Sequence, residues 1–535
     1  MSYTAHIDTF VIDNLPPPEE WPELLFETPE LQFPDQLNAA TELLDKAVAE
    51  GHGERPAMMG AGVHWTYRQL QQQVNRLARV LVEDMGLVPG NRVLLRGGNT
   101  PMLGACWLAV FKAGGVAVGT MPLLRAKELK EIIRQAKVTH VLCDRALAAE
   151  LEQACAEQPG VQHVLYYGDG GTLEPLAAAK PDTFDAVPTA ATDPALIGFT
   201  SGTTGTPKGT IHFHRDVMAM CEVFPRHCLK PEPSDVFIGT PPLAFTFGLG
   251  GLLCFPLWAR ASTVLLERLS PELLLRSIQQ YQATICFTSP TGYRQMAAQI
   301  AEHPVPSLKK AVSAGEPLPE DTRRRWREAT GIEIHDGIGG TEMIHIYIAS
   351  GPEDYRPGAI GRALPGYKAM IVDKNMNPLP PGEIGLLAVK GPTGCRYLAD
   401  PRQRNYVRQG WNLPGDACRM DEDGYVYYVA RVDDMILTSG YNVSAPEVEW
   451  ALLAHPAVSE CGVVGAPDEE RGQIIRAYVV LKPGYEGSDT LVAELQNFVK
   501  QQIAPYKYPR SIVFVDTLPR TESGKLQRHR LREMT

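Results

Sequence analysis

VLLRGGNTPMLGACWLAVFKAGGVAV, Val93 to Val118, sets the architecture. Val93-Leu94-Leu95 reads as a strand. Met102 to Ala113 reads as a helix, and Gly114-Gly115 ends it. Val116 to Val118 is the next strand. The alternation then continues, with Leu129 to Ala136 helical and Val138 to Leu142 extended. A β-α-β-α-β order predicts a mostly parallel sheet covered by helices on both faces.

Further along, Ser270-Pro271-Glu272 places an N-cap hydroxyl before a proline at the first helical position. The helix that follows carries Leu274, Ile278 and Tyr281, and Ile285 to Thr288 reads as the strand after it. Past about residue 430 the pattern changes. Ser444-Ala445-Pro446-Glu447 fits a capping box opening a short helix. Val458 to Val464, Ile475 to Leu481 and Ile512 to Val515 read as strands, and Leu491 to Ile503 as a helix. The expectation is a large multi-lobed α/β N-terminal domain, residues 1–432, and a small mobile α+β domain, residues 433–535, of a size that folds alone. The boundary falls near Arg431-Val432-Asp433-Asp434, and no internal repeat is visible.

Composition bounds the function. The 535 residues are 44% hydrophobic and 21% charged, which excludes a disordered chain. A net charge of −11 argues against a general nucleic-acid binder. The opening MSYTAHIDTF lacks the basic and apolar regions of a secretory signal, and no apolar run reaches membrane-spanning length. Ten scattered cysteines form no CxxC pair, and the six residues between Cys221 and Cys228 match no common zinc spacing. The expectation is reduced, buried thiols in a cytoplasmic protein, with no nucleic-acid or membrane partner.

The chemistry lies first in TSGTTGTPKG, Thr200 to Gly209, which follows the apolar run Ala195 to Phe199. Its glycines (Gly202, Gly205, Gly209) allow close approach of backbone N–H groups. The hydroxyls of Thr200, Ser201, Thr203, Thr204 and Thr206 add donors, and Lys208 a cation. Such concave donor clusters hold phosphate. The ordinary reading of a Ser/Thr/Gly segment is a flexible surface loop. The preceding strand and Pro207-Lys208-Gly209 argue otherwise. It is not a Walker A loop, because Pro207 precedes the lysine and Gly209 follows it. It is not a nucleophile elbow, because Ser201 lacks the G-x-S-x-G frame.

TSGTTGTPKG resembles the phosphate loop of the adenylate-forming superfamily of acyl-CoA ligases, luciferases and peptide-synthetase adenylation domains. Five further motifs resemble that family in the expected order. They are SAGEPL (Ser313–Leu318), DGIGGTE (Asp336–Glu342), GWNLPGDACRMDEDGY (Gly410–Tyr425), ARVDDMILTSGYNVSAPEVE (Ala430–Glu449) and PRTESGKLQRHRLR (Pro519–Arg532). The resemblance spans essentially the whole chain. It implies ATP, Mg2+ and coenzyme A as co-substrates and cofactor.

By this resemblance Thr341 contacts the α-phosphate and Glu342 holds magnesium. Asp336, Gly337 and Ile338, with Gly315, Glu316 and Pro317, border the adenine. Asp416 accepts from the ribose hydroxyls with Arg431 nearby. Lys525 bridges the substrate carboxylate and the phosphate. Asp433 is the hinge, and Gly440 lets pantetheine pass. Such groups suit the reaction, because a carboxylate becomes an electrophile only once AMP is its leaving group. Each residue alone has a plainer reading. Asp416 is an Asx-turn residue, Glu342 a helix-start carboxylate, and Lys525 with Arg520, Arg528, Arg530 and Arg532 a solvated basic tail. Their joint order favours the functional reading. His212 and His214 are expected on one face of a strand, with no third ligand for a metal.

Departures narrow the branch. Ile338 replaces the family's adenine-stacking tyrosine, and Phe245 stands where many members carry an aromatic-gate histidine. Both changes, and GGTEMIHIYI (Gly339–Ile348), resemble the benzoate-CoA ligase branch. DNLPPPEEWPELLF (Asp13–Phe26) resembles 2-aminobenzoate-CoA ligases. The acyl pocket implied is Ala244 to Gly248 (with Phe245, Thr246, Phe247 and Gly248), Ala314, Gly339, Gly340 and His345. An apolar, Phe-rich wall suits a small aromatic carboxylic acid, and Thr246 or His345 suits an ortho amino group. Simple packing of His345 with a satisfied nitrogen is the equal alternative. Loading a carrier protein is a rival activity sharing every motif, and a non-catalytic nucleotide-binding regulator is a second. The ten residues after Lys525 leave no carrier segment, which favours free CoA. A homodimer is compatible with the sequence, which is silent on oligomeric state.

Overall fold

The computed structural model describes residues 3–200, 207–438, 441–468, 472–520 and 526–534. The chain packs as two compact units. The first comprises Met1–Leu318, Thr322–Ala369 and Val389–Asn412; the second comprises Pro319–Asp321, Met370–Ala388 and Leu413–Thr535. These units record which residues pack together. The expected division at 432/433 concerns which residues move together, a separate property.

The first unit holds two sheets. One has six strands in the order His163–Tyr167, His140–Asp144, Arg92–Arg96, Val116–Thr120, Pro194–Thr200, Lys208–Phe213. All its pairings are parallel except the last, an antiparallel hairpin. The other has nine strands, parallel through Pro56–Gly60, Ser262–Val264, Val236–Gly239, Ile285–Thr288, Lys310–Ser313 and Ile334–Gly339, with antiparallel strands at both edges. The α/β expectation of mostly parallel sheets flanked by helices therefore holds.

The helix read from Met102 to Ala113 runs Pro101–Lys112. Thr100 caps it, accepting from the Leu103 N–H at 3.2 Å. It is apolar all round because it touches strands of both sheets, Arg92–Arg96 and Val116–Thr120 on one side and Pro56–Gly60 on the other. Burying Phe111 here contributes roughly 2 kcal/mol or more. Gly104 lets the Met58 side chain lie against the helix, since a Cβ there would sit 2.9 Å from Met58 Sδ and push that side chain aside.

The second unit contains the C-terminal α+β body. Val458–Asp468, Gly472–Leu481 and Ser511–Phe514 form one sheet, and Ala445–Leu453 and Asp489–Gln502 are its helices. Val448, Leu452, Val463, Ile475, Leu495 and Val499 make the core. Ser444 caps its helix as expected, accepting from the Glu447 N–H. The Glu447 carboxylate, however, is taken by Lys507 at 2.6 Å. The plainer alternative of a solvated basic tail does not describe these arginines: Arg528 pairs with Glu449 (2.7 Å) and Asp434 (3.2 Å), Arg532 with Asp434 (2.7 Å), and Arg520 with Glu460 (2.6 Å).

All ten cysteines are free thiols. Among the described residues, no helix is long and apolar enough to cross a membrane.

Candidate active site

The phosphate-loop motif bridges two antiparallel strands, with Thr200 opposite Lys208 in the register. A Walker A loop instead joins a strand to a helix. Ser201, Gly202, Thr203, Thr204, Gly205 and Thr206 lie outside the described residues. Thr200 ends the first strand, and its buried Oγ1 has no hydrogen-bond partner among the described residues. Such an orphan suits a phosphate oxygen.

Lys208 opens the return strand. Its Nζ donates to the Tyr397 hydroxyl at 2.8 Å, and that hydroxyl donates to Glu342 Oε1 at 2.7 Å. Lys208 Nζ itself stays 3.7 Å from Glu342 Oε1. Burial, with the Glu342 carboxylate beside it, pushes the Tyr397 phenol well above its ordinary range, so it keeps its proton. Tyr397 was invisible to the sequence reading, since a tyrosine in GPTGCRYLADP has no spacing signal of its own.

Thr341 and Glu342 sit in the 3-10 turn Thr341–Met343. Gly198 makes room for it, because a Cβ there would lie 2.7 Å from Thr341 Cγ2. Two side chains hold the turn. His212 Nε2 lies 2.7 Å from the Thr341 carbonyl, and Thr393 Oγ1 donates to the Met343 carbonyl at 2.8 Å. Since a carbonyl only accepts, His212 carries its proton on Nε2. Its Nδ1 faces Asp216 Oδ2 at 3.7 Å, and Asp216 is paired with Arg396, both fully buried. Burial opposes charge on Asp216, yet Arg396 and His212 together hold its carboxyl below the usual range. Ile344, next after the turn, adopts φ +66°, a strained setting for a β-branched residue.

The two histidines do not share a strand face. His212 is on the strand Lys208–Phe213, whereas His214 starts the helix His214–Phe224 and accepts from the Ala39 N–H at 3.1 Å. The chain turns between them, so strand alternation does not extend to His214.

The implied acyl and adenine residues fall around this turn in the first unit. Phe245 precedes the short helix Thr246–Leu249, which carries Thr246, Phe247 and Gly248. A Cβ on Gly248 would meet the Pro242 carbonyl at 2.1 Å, and one on Gly339 the His345 carbonyl at 2.7 Å, so both positions require glycine. His345 is fully enclosed, with ring centroids of Phe255, Phe247 and Phe224 at 4.5, 5.7 and 5.8 Å. Neither ring nitrogen makes a well-formed hydrogen bond, and burial pushes its pKa down to about 3. The Thr246 methyl lies 3.9 Å from where a Cβ on Gly198 would sit.

Ala314 follows the strand Lys310–Ser313, and Gly315 adopts φ +90°. Glu316 accepts from Thr291 Oγ1 at 3.0 Å, and Pro317 follows. Asp336, Gly337 and Ile338 lie on the strand Ile334–Gly339, next to Gly340. Asp336 Oδ1 accepts from the Gly337 N–H at 2.9 Å, and Oδ2 is 3.4 Å from Arg323.

In the second unit Asp416 is buried opposite Arg431 in an antiparallel pair, with Arg431 Nη1 donating to Oδ1 at 3.1 Å. Asp433 lies in the 3-10 turn Val432–Asp434. Gly440 and Lys525 lie outside the described residues. The strand-like bridge between Arg520 and Leu526 flanks the lysine segment.

Among the described residues, no cluster of three or more His, Cys, Asp or Glu could hold a metal.

The model of the AMP-binding enzyme family matches residues 45–397, and that of the AMP-binding enzyme C-terminal domain matches residues 447–525. The chain belongs to the AMP-binding enzyme family. It is an AMP-forming acid–CoA ligase, and ATP and coenzyme A are the substrates of such ligases. A benzoate–CoA ligase of Thauera aromatica is 35% identical over 94% of this chain and 97% of its own. The solved anthranilate CoA ligase AuaEII, in complex with anthranoyl-AMP, superposes with a TM-score of 0.90 at 32% identity, covering 95% of this chain and 99% of that one. A benzoate CoA ligase from Burkholderia xenovorans gives 0.85 at 32% identity, covering 92% and 99%.

Proposed function

We propose that this ligase adenylates 2-aminobenzoate, or a close benzoate, with MgATP and passes the aroyl group to free coenzyme A in the cytoplasm. The observation that carries the aromatic reading is His345, an imidazole walled by three phenylalanines, with the Phe247 backbone beside it but no well-formed hydrogen bond to either nitrogen among the described residues. A buried polar group without a well-formed hydrogen bond is costly, and a ring amino group beside it would supply one. Likeness to a ligase solved with anthranoyl-AMP supports the same acid, since anthranilate is 2-aminobenzoate.

In the first step a carboxylate oxygen attacks the α-phosphorus and pyrophosphate leaves. Thr341 and Lys525 stabilise the charge there, and Glu342 would hold the Mg2+ that supplies counter-charge to the phosphates. Thr200 to Gly205 and Lys208 cradle the phosphates, while Asp416 and Arg431 hold the ribose. In the second step the CoA thiolate attacks the acyl carbon and AMP leaves. Lys525 must then clear the site, so residues 433–535 turn about Asp433 and Gly440 borders the pantetheine.

Pyrophosphate release with and without CoA, across benzoate, 2-aminobenzoate, 2-hydroxybenzoate and straight-chain fatty acids, tests this. The expected result is kcat/KM for 2-aminobenzoate at least equal to that for benzoate, with fatty acids poor. Preference for an aliphatic acid refutes the aromatic reading. Preference for plain benzoate removes the ortho amino contact and leaves a benzoate ligase.

A further inference from the structure

The phosphate-loop lysine and the carboxylate that the proposed function gives to magnesium carry opposite charges in one half-buried site. Left alone, such a pair closes to direct contact, at about 2.8 Å. Here it does not close. Lys208 Nζ and Glu342 Oε1 remain 3.7 Å apart, with the Tyr397 oxygen bonded to both, at 2.8 and 2.7 Å. Each charge is thereby held in place through a neutral group.

The phenol is itself tightly located. Its backbone N–H donates to Gln403 Oε1 at 2.9 Å, its ring packs edge-on against Tyr406 at 5.8 Å, and Lys208 also lies over its face at 4.8 Å. The hydroxyl spends its one proton on Glu342 and a lone pair on Lys208. Among the described residues, two N–H groups of the ammonium and the second carboxylate oxygen are then left for a ligand.

We propose that Tyr397 is a positioning residue, a neutral spacer that keeps Lys208 and Glu342 from neutralising each other and so keeps the empty site ready for MgATP. This rests on the proposed roles of Lys208 on phosphate and Glu342 on magnesium. Without the hydroxyl, ammonium and carboxylate close into a direct ion pair. Nucleotide and metal must then break that pair before binding. The loss falls on binding of MgATP, and not on acyl transfer after pyrophosphate has gone.

The test is Tyr397→Phe in the full chain, which keeps the ring and removes only the spacer oxygen. Calorimetric titration with MgATP, no acid present, is expected to give a Kd raised about five- to tenfold. The Mg2+ concentration for half-maximal pyrophosphate release should rise by a similar factor. The rate at saturation, and acyl transfer from preformed aroyl-adenylate to CoA, should stay within about twofold of wild type. An unchanged Kd and Mg2+ dependence overturns the spacer role. An equal fall in both half-reactions overturns it as well, since that marks a structural residue. Glu342→Gln separates the two readings. If it leaves the Mg2+ dependence untouched, the proposed metal role of Glu342 fails. If it shifts that dependence while Tyr397→Phe does not, only the spacer fails.

Discussion

His212 Nε2 stands 2.7 Å from the carbonyl oxygen of Thr341, tying the strand that leaves the phosphate loop to the turn that carries the proposed α-phosphate and magnesium ligands. Behind it lie Asp216 and Arg396, both fully buried. The imidazole is therefore a brace with its own foundation. Replacing it by leucine leaves a carbonyl without its donor beside the strained Ile344. That costs about 1–2 kcal/mol, and the expected effect of His212→Leu is a roughly tenfold slower pyrophosphate release. His212→Gln, which can still donate, should recover part of the rate. Equal activity of His212→Leu and wild type would show that the turn holds without the brace.

Lys525→Ala should cripple adenylation while sparing acyl transfer from preformed aroyl-adenylate. A fixed cation at the α-phosphate acts only while charge develops there, and its loss is expected to slow the first step about a hundredfold or more. Single-turnover measurement of each half-reaction checks this. Equal loss in both would refute the assignment.

Acid should unfold this protein before most carboxylates titrate. Burial lowers His214 and His345 from 6.5 to about 3 and His335 to about 4. As pH falls through 6.5 the unfolded chain takes up protons that the folded chain refuses. Stability is thus flat above about pH 6.5 and falls below it, by about 2 kcal/mol per histidine at pH 5. Urea denaturation at pH 7.5 and pH 5 should show the loss. His345→Leu should lose about 2 kcal/mol less between the two.

Asp433 sits in the turn Val432–Asp434, between Arg431, proposed to stay with the ribose, and the C-terminal body. Proline there fixes φ and removes an N–H, which restricts any rotation through that residue. The expected outcome for Asp433→Pro is acyl transfer to CoA slowed about tenfold more than adenylation. Stopped-flow measurement of acyl transfer at the wild-type rate would place the pivot elsewhere.

The strand and helix order was legible from Val93 to Val118 onward because periodicity and capping are local. The Ser270 cap, the helix ends and the strands of the C-terminal body fall within a few residues of where the pattern puts them. The six ordered motifs likewise pointed to the ligase family, since they are contiguous strings. What failed were readings that needed partners. His212 and His214 look like a pair two residues apart, and a change from strand to helix separates their roles. Nor could the chain show that Arg528 and Arg532, which alone would pass for a solvated tail, are claimed by long-range carboxylates.

Local pattern thus carried the α/β class, the alternation of elements and the family likeness, all of which depend on residues near one another in the chain. Tyr397 between Lys208 and Glu342, the brace from His212 to Thr341 and the enclosure of the His345 imidazole among three phenylalanines arose only on folding. Each joins groups distant in sequence: 189 residues separate Lys208 from Tyr397, and 129 separate His212 from Thr341. Hydrogen bonding and burial act over a few ångströms of space, and no spacing along the chain encodes which distant groups will meet.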